Sequence, residues 1–309
     1  MRKLIISPML PVKLRYSEWF VYEIKKQLNS FFDEIVVLGE KIITGKNFNT
    51  SVEMFSPINE AIIFELNQID EFLNLKIDKN KDVLLSLDIS FPGFLSNVLY
   101  HRPMEAYGYC HATSKNKYDY FSPVRYSKFQ CETSHSKLFK KVFVGSEYHK
   151  NKLGWDNVKV IGLPIPPFQI YREEKKYDII SVCRPNNQKI TKEIEDVVEK
   201  DFGKIVRQEC NTWEQYYKFL SEGKILLISS KEDTFNYSIM EAIMNGTVVL
   251  APTKCAFPEL LERDYLYSDY NELKTKIELV LNSKLLPPVE LKNQDLVNNF
   301  YENLIKEMK

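Results

Sequence analysis

Short apolar runs recur along the chain, and segments with helical spacing separate many of them. In the first half, residues 4–8 (LIISP), 34–38 (EIVVL), 82–87 (DVLLSL), 107–111 (YGYCH), 141–146 (KVFVGS) and 158–163 (VKVIGL) read as strands. Apolar runs of this length are the pattern of parallel strands covered by helices on both faces. Residues 17–28 read as an amphipathic helix with Ser17 as its N-cap, and 62–75 as another helix. The stretch 162–167 (GLPIPP) is a stiff connector that marks a domain boundary. Beyond it the rhythm restarts: strand 177–183, helix 190–200, strand 204–208, helix 212–220, strand 225–228, a helix ending at Gly246, strand 247–251 and helix 271–281. Residues 293–308 close the chain as an amphipathic helix whose apolar face is Leu296, Val297, Phe300, Leu304 and Ile305. The pattern predicts the α/β class, with two Rossmann-like doubly wound domains at 1–165 and 166–290 and a C-terminal helix within 291–309.

Ligands of such sheets bind outside the carboxyl ends of the strands, where helix N-termini point. Residues 224–262 place candidate chemistry there. The strand 225–228 runs into polar Ser229 to Asp233, then a helical segment carrying Glu241. Eight residues of continuous helix would put Asp233 and Glu241 near one face. A partly looped turn would free Asp233 and leave Glu241 inside the helix. Arg184 and Lys189 lie five apart in a strand-to-helix loop, a forked donor and a point charge suited to phosphate oxygens. His111 closes a strand at the carboxyl edge of the first sheet.

The run Asp233-Thr234-Phe235-Asn236, then Glu241-Ala242, Gly246 and Pro258-Glu259, resembles the nucleotide-sugar signature of family 4 glycosyltransferases, which have the GT-B fold of two Rossmann-like domains facing a cleft. Two departures set it apart: the first acid, Asp233, is Asp where the family has Glu, and the two small loop positions, Thr234 and Asn236, replace glycines. The resemblance covers 141–262 well and the first 140 residues loosely. It implies a retaining, metal-independent transferase using a nucleoside-diphosphate sugar, UDP-sugar being the donor class expected. Arg184 and Lys189 would grip the diphosphate and Asp233 the sugar hydroxyls, with Glu241 on the ribose. Thr234, Phe235 and Asn236 would line the donor, His111 would face its sugar and with Asp233 be catalytic, and the final helix would pack back on the first domain. The loop after the first strand, Gly-rich in many such enzymes, holds two prolines and no glycine here. No cofactor is expected besides the donor substrate, and no Asp-x-Asp motif occurs.

Composition narrows the partners. The chain has 309 residues, 44% hydrophobic and 27% charged, with a formal net charge of zero. That excludes a disordered chain and a globally basic polymer binder. Five scattered cysteines and no signal peptide or membrane-length apolar run predict a reduced, cytoplasmic protein. Cys110, His111, Cys131 and His135 match no common zinc spacing. Residues 112–159 carry ten Lys/Arg against four Asp/Glu, interleaved with aromatics. Lys115, Lys117, Tyr118, Tyr120, Arg125 and Lys128 are the acceptor-binding candidates, suited to a polyanion with stackable bases such as DNA or tRNA. The 111–120 segment also resembles enzymes that mannosylate a modified tRNA base. A hydroxyl-bearing modified base in DNA or RNA is therefore the favoured acceptor. The alternatives are a cell-envelope or lipid-linked glycan and, in another class, a non-catalytic nucleotide-sugar binder or a hydrolase or epimerase of the same fold.

Overall fold

The structure is a computed structural model that describes residues 2–39, 58–90, 93–118, 125–183 and 190–309, with 58 and 59 described by backbone alone. Two compact units divide the chain: 1–164 with 298–309, and 165–297.

The first unit is built on six parallel strands: β1 (Lys3–Ser7), β2 (Glu34–Val37), β3 (Val83–Ser86), β4 (Glu105–Tyr109), β5 (Lys141–Val144) and β6 (Val158–Val160), in the order β2-β1-β3-β4-β5-β6. Helices α1 (Tyr16–Leu28), α2 (Ile58–Asn74), α3 (Leu95–His101), α4 (Arg125–Ser136) and α5 (Glu147–Leu153) connect them. The order reverses between β1 and β3, so the crevice of a doubly wound sheet opens beside those two strands. Every residue of β3 is buried, which is why its sequence shows no alternation. Ser17 does not cap α1; Arg15 occupies that position, and the Ser17 hydroxyl accepts from the Val12 amide at 3.2 Å, from within the first turn of the helix.

The second unit holds β7 (Tyr177–Ile180), β8 (Gly223–Leu227), β9 (Val248–Pro252) and β10 (Leu266–Tyr267) in the parallel order β10-β9-β8-β7. Its helices are α6 (Lys192–Phe202), α7 (Trp213–Glu222), α8 (Tyr237–Met244), α9 (Phe257–Leu260), α10 (Tyr270–Leu281) and α11 (Asp295–Asn298). The expected strand at 204–208 reduces to a single parallel bridge from Val206 to Ile180. Arg207 beside it reaches out to the Glu195 carboxylate at 2.7 Å instead of continuing a ladder. With Val206 on one side of β7 and β8 on the other, the switch point of this sheet falls between β7 and β8.

The expected helix at 293–308 is two pieces, α11 and α12 (Phe300–Met308), parted at Asn299. α12 belongs to the first unit. There Phe300, Leu304 and Met308 are buried, Phe300 lies 5.9 Å from Phe20 ring to ring, and Arg2 donates to the Met308 carbonyl at 2.8 Å.

Candidate functional site

At the switch point of the second sheet, the chain leaves β8 through buried Ser229 and Ser230 and enters the loop that precedes α8. Asp233 lies in that loop, so the two acids are not on one helical face. Its Oδ1 accepts from the Phe235 amide at 3.4 Å and its Oδ2 from the Asn236 side-chain amide at 3.0 Å. Asn236 caps α8 with φ +81°, a left-handed conformation that Gly adopts freely and Asn better than most residues. The Asn236 side-chain oxygen in turn accepts from the Ser238 hydroxyl. The two departures from the glycosyltransferase signature thus touch each other: the shorter acid is met by the side chain that replaces a glycine. Thr234 and Phe235 are buried, and the Phe235 ring packs edge-on to Tyr237 at 6.0 Å.

Glu241 sits inside α8, 5% exposed. Its Oε2 accepts from the Tyr216 hydroxyl at 2.9 Å and its Oε1 from Tyr217 at 3.5 Å, both on α7. Burial raises its pKa to about 7, and the two phenol bonds oppose that rise. Asn245 and Gly246, the latter at φ +72°, end the helix and turn the chain into β9.

Arg184, Lys189 and the acceptor candidate Tyr120 lie outside the described residues, as does Pro92 of a predicted turn. The residues on either side of 184–189, Cys183 and Ile190, are described, and both meet the segment after β8. Cys183 Sγ lies 3.6 Å from Ser230 Oγ, Ile190 bridges Ser230, and Thr191 donates to the Ser229 carbonyl at 2.8 Å. Glu195 of α6 ties this junction together, accepting from Ser229 Oγ at 2.5 Å and from Arg207. Sequence reasoning missed Glu195, Tyr216 and Tyr217, because their partners are 12 to 34 residues away.

In the first unit, β4 ends at Tyr109 and His111 follows two residues later. Its ring stacks on Tyr109 at 4.2 Å and packs against Tyr16 at 4.9 Å and Phe20 at 5.5 Å. Desolvation in this aromatic box lowers its pKa to about 3, against a hydrogen bond with the Leu87 backbone that favours the proton. The imidazole is therefore neutral at pH 7. The following loop is fixed by Glu132 of α4, which accepts from Thr113 Oγ1 at 2.9 Å and from the Ser114 amide at 3.1 Å.

The basic candidates differ among themselves. Lys115 donates to the Lys152 carbonyl at 2.7 Å and covers the Phe129 ring at 4.5 Å. Lys128 is half-buried, and its charge acts on the buried carboxylates Glu65 and Glu132. Lys117 lies over Tyr118 at 5.3 Å, and Arg125 over Tyr126 at 4.7 Å. Cys110 is buried near His149 while Cys131 is exposed, and all five cysteines are thiols. Among the described residues no group of three His, Cys, Asp or Glu is arranged to hold a metal. No helix among them is long and apolar enough to cross a membrane.

No protein-family model matches the chain. Over 131 residues it is 30% identical to the tRNA-queuosine alpha-mannosyltransferase of Drosophila melanogaster, which is 42% of this chain and 33% of that protein. The match thus spans about a third of that relative's length. Among solved structures, the lipopolysaccharide outer core galactosyltransferase WaaB aligns over 100% of this chain and 99% of its own, with a TM-score of 0.64 at 9% identity. Anabaena HepE in complex with UDP-glucose aligns over 99% and 98%, with 0.64 at 11% identity. The sucrose-phosphate synthase of Thermosynechococcus elongatus aligns over 99% and 94%, with 0.62 at 12%. Two parallel sheets with interleaved helices, matched along nearly the whole length of these proteins, give this chain the fold of the GT-B glycosyltransferases.

Proposed function

We propose that this protein is a glycosyltransferase that takes its sugar from a nucleoside-diphosphate donor held at the switch point of the second unit. The observation that carries the reading is the convergence there of Asp233, the α8 N-terminus and the residues Cys183 and Ile190 that flank 184–189. Asp233 would accept hydroxyls of the sugar and Glu241 those of the ribose. Arg184 and Lys189, with the α8 N-terminus, would offset charge growing on the departing diphosphate, so that no metal is required. Asp233, read here as a partner of the sugar hydroxyls, is not given the role of covalent nucleophile. Retention at the anomeric carbon would then follow from departure and attack on one face within an ion pair. His111, neutral at pH 7, would serve as a hydrogen-bonding group and not as an acid.

For the acceptor we favour a hydroxyl-bearing modified base in RNA or DNA. The likeness to a tRNA-queuosine mannosyltransferase and the cation–aromatic pairs at Lys117 and Arg125 support it. A second reading, a cell-envelope or lipid-linked glycan, gains from the two lysines already engaged, Lys115 and Lys128. The test is a donor screen with mass spectrometry of products on tRNA, DNA and lipid-linked glycans. Sugar transfer to one acceptor class decides between them, and nucleotide affinity without diphosphate release identifies a binder. Arg184→Ala with Lys189→Ala should abolish transfer in a folded protein; an active double variant overturns the diphosphate assignment.

A further inference from the structure

Glu241 is a buried acid whose surroundings contain no cation among its described partners. Around it are the phenols of Tyr216 and Tyr217, with the Cys210 thiol beside Tyr216. The two phenols are not equivalent. Tyr216 bonds Oε2 at 2.9 Å, within the ordinary range of an O–H···O bond, whereas Tyr217 meets Oε1 at 3.5 Å, the outer limit of a hydrogen bond. One carboxylate oxygen is thus committed to α7 and the other only weakly held. Tyr217 is fully buried while Tyr216 is half-buried. Tyr216 is placed by its own helix: Thr212 caps α7, accepting from the Gln215 amide at 3.2 Å, and Trp213 stacks on Phe168 at 4.5 Å. The hydroxyl that grips Oε2 therefore stands on an anchored first turn.

We propose that Tyr216 is a positioning residue for the nucleoside half of the donor. By holding Oε2 it fixes the Glu241 carboxylate so that the weakly held Oε1 is the oxygen offered to the ribose hydroxyls. This rests on the donor reading above. The effect belongs to binding and not to the chemical step, because the ribose is remote from the anomeric carbon.

The test is a two-by-two comparison of the full-length protein and Tyr216→Phe, each titrated with ribonucleoside diphosphates and their 2′-deoxy counterparts. Uridine, guanosine and adenosine diphosphates serve as probes. The wild type should prefer the ribonucleotide, and Tyr216→Phe should weaken ribonucleotide binding by about tenfold, the effect of one hydrogen bond to a charged group. The same variant should leave deoxynucleotide binding nearly unchanged, so that the ribo-to-deoxy ratio collapses. With active donor, KM should rise while kcat stays within about twofold. Removing this bond also removes a force that lowers the Glu241 pKa, so the pH midpoint of donor binding should move upward in the variant. A general loosening of the fold would weaken both nucleotides alike, and an unchanged ribo-to-deoxy ratio overturns the proposal. A wild type that binds no nucleoside diphosphate overturns the donor reading itself. A wild type that binds ribo and deoxy forms equally leaves that reading standing and removes the ribose role of Glu241 and Tyr216 together.

Discussion

Gly108 lies within β4, paired with Ser86 of β3 on one side and Val142 of β5 on the other. A Cβ added there would meet Ile89 Cγ2 at 2.3 Å and two Phe139 ring carbons at 3.2 and 3.3 Å. The backbone of Gly108 does not need a glycine, since its φ is not in the left-handed region, so the cost of Gly108→Ala is packing alone. Relief would require Ile89 to retreat by about 1 Å from a site where real methyl contacts begin near 3.4 Å. It cannot do so cheaply. The clashing methyl branches from Cβ, and the Ile89 amide is tied to the Tyr109 carbonyl at 3.0 Å. Ile89 and Phe139 are each 3% exposed, so neither can swing into solvent. Overpacking of this kind costs about 1–3 kcal/mol, and a pinned neighbour places it near the top of that range. At about 2–4 °C per kcal/mol for a unit of this size, the melting transition of the first unit should fall by about 4–12 °C. Ile89→Ala alone should cost about 2–5 kcal/mol through its cavity. The double variant should cost less than the two losses added, with a coupling of about 1 kcal/mol or more, because the methyl introduced at Gly108 refills part of the space. Urea or thermal unfolding of the four proteins measures the cycle. Additive losses, or a single Gly108→Ala variant that melts with the wild type, would refute the packing argument. The same β4 delivers His111 to the sheet edge, so activity in the single and double variants should track their stability.

Three further outcomes follow from the structure. Burial holds the His149 pKa at about 3 against about 6.5 in the unfolded chain, so the unfolded state takes the proton first as pH falls. The stability from its neutral ring is complete above pH 6.5 and, by pH 5, about 2 kcal/mol of it should be gone; a variant without that ring, such as His149→Gln, should lack this part of the acid sensitivity in urea melts, and identical pH dependence would count against it. Asn236→Gly keeps the φ of +81° while removing the contacts to Asp233 and Ser238, so the fold should change by less than about 1–2 kcal/mol while affinity for the sugar nucleotide drops. Unaltered affinity would show that Asp233 needs no such support. For nucleic acid, the surplus of six basic residues in 112–159 is reduced by Lys140 and Lys159, paired with Glu105 and Glu307 outside the segment, and by Lys128 beside Glu65. About three charges remain, so log affinity against log salt should slope by about −2 to −3, and a flat plot would exclude the nucleic-acid acceptor.

The sheets were legible because a parallel strand buried on both faces needs an unbroken apolar run, as in residues 4–6, 83–85 and 225–227. Helix ends were less so. Ser17 has the chemistry of a cap, but Arg15 takes that place, because the turn at 12–15 decides where the helix begins. At 293–308 the apolar spacing runs on through Asn299, whose φ of −98° and ψ of 10° interrupt the helix that periodicity predicts. In the candidate site, spacing from Asp233 to Glu241 and the Gly246 stop was readable. What holds those acids was not. Tyr216 is 25 residues from Glu241, and Glu195 is 34 from Ser229, with nothing local to mark either as a partner.

The two departures at Asp233 and Asn236 look, along the sequence, like independent erosions of a signature. In three dimensions they form one hydrogen bond, and that changes what they imply. An Asp is one methylene shorter than a Glu, which alone would withdraw the carboxylate from any ligand, and its terminal torsion is broad, so the group can still turn. Asn236 opposes the second effect by donating to Oδ2 from a backbone conformation that few residues besides Gly and Asn accept. Oδ1 takes a longer bond of 3.4 Å from the Phe235 amide. The Glu241 carboxylate shows the same asymmetry, with one oxygen bound at 2.9 Å and the other at 3.5 Å. Both acids thus have one carboxylate oxygen oriented by a side chain of the protein. A site that must accept hydroxyl groups gains from having each carboxylate already oriented when the ligand arrives.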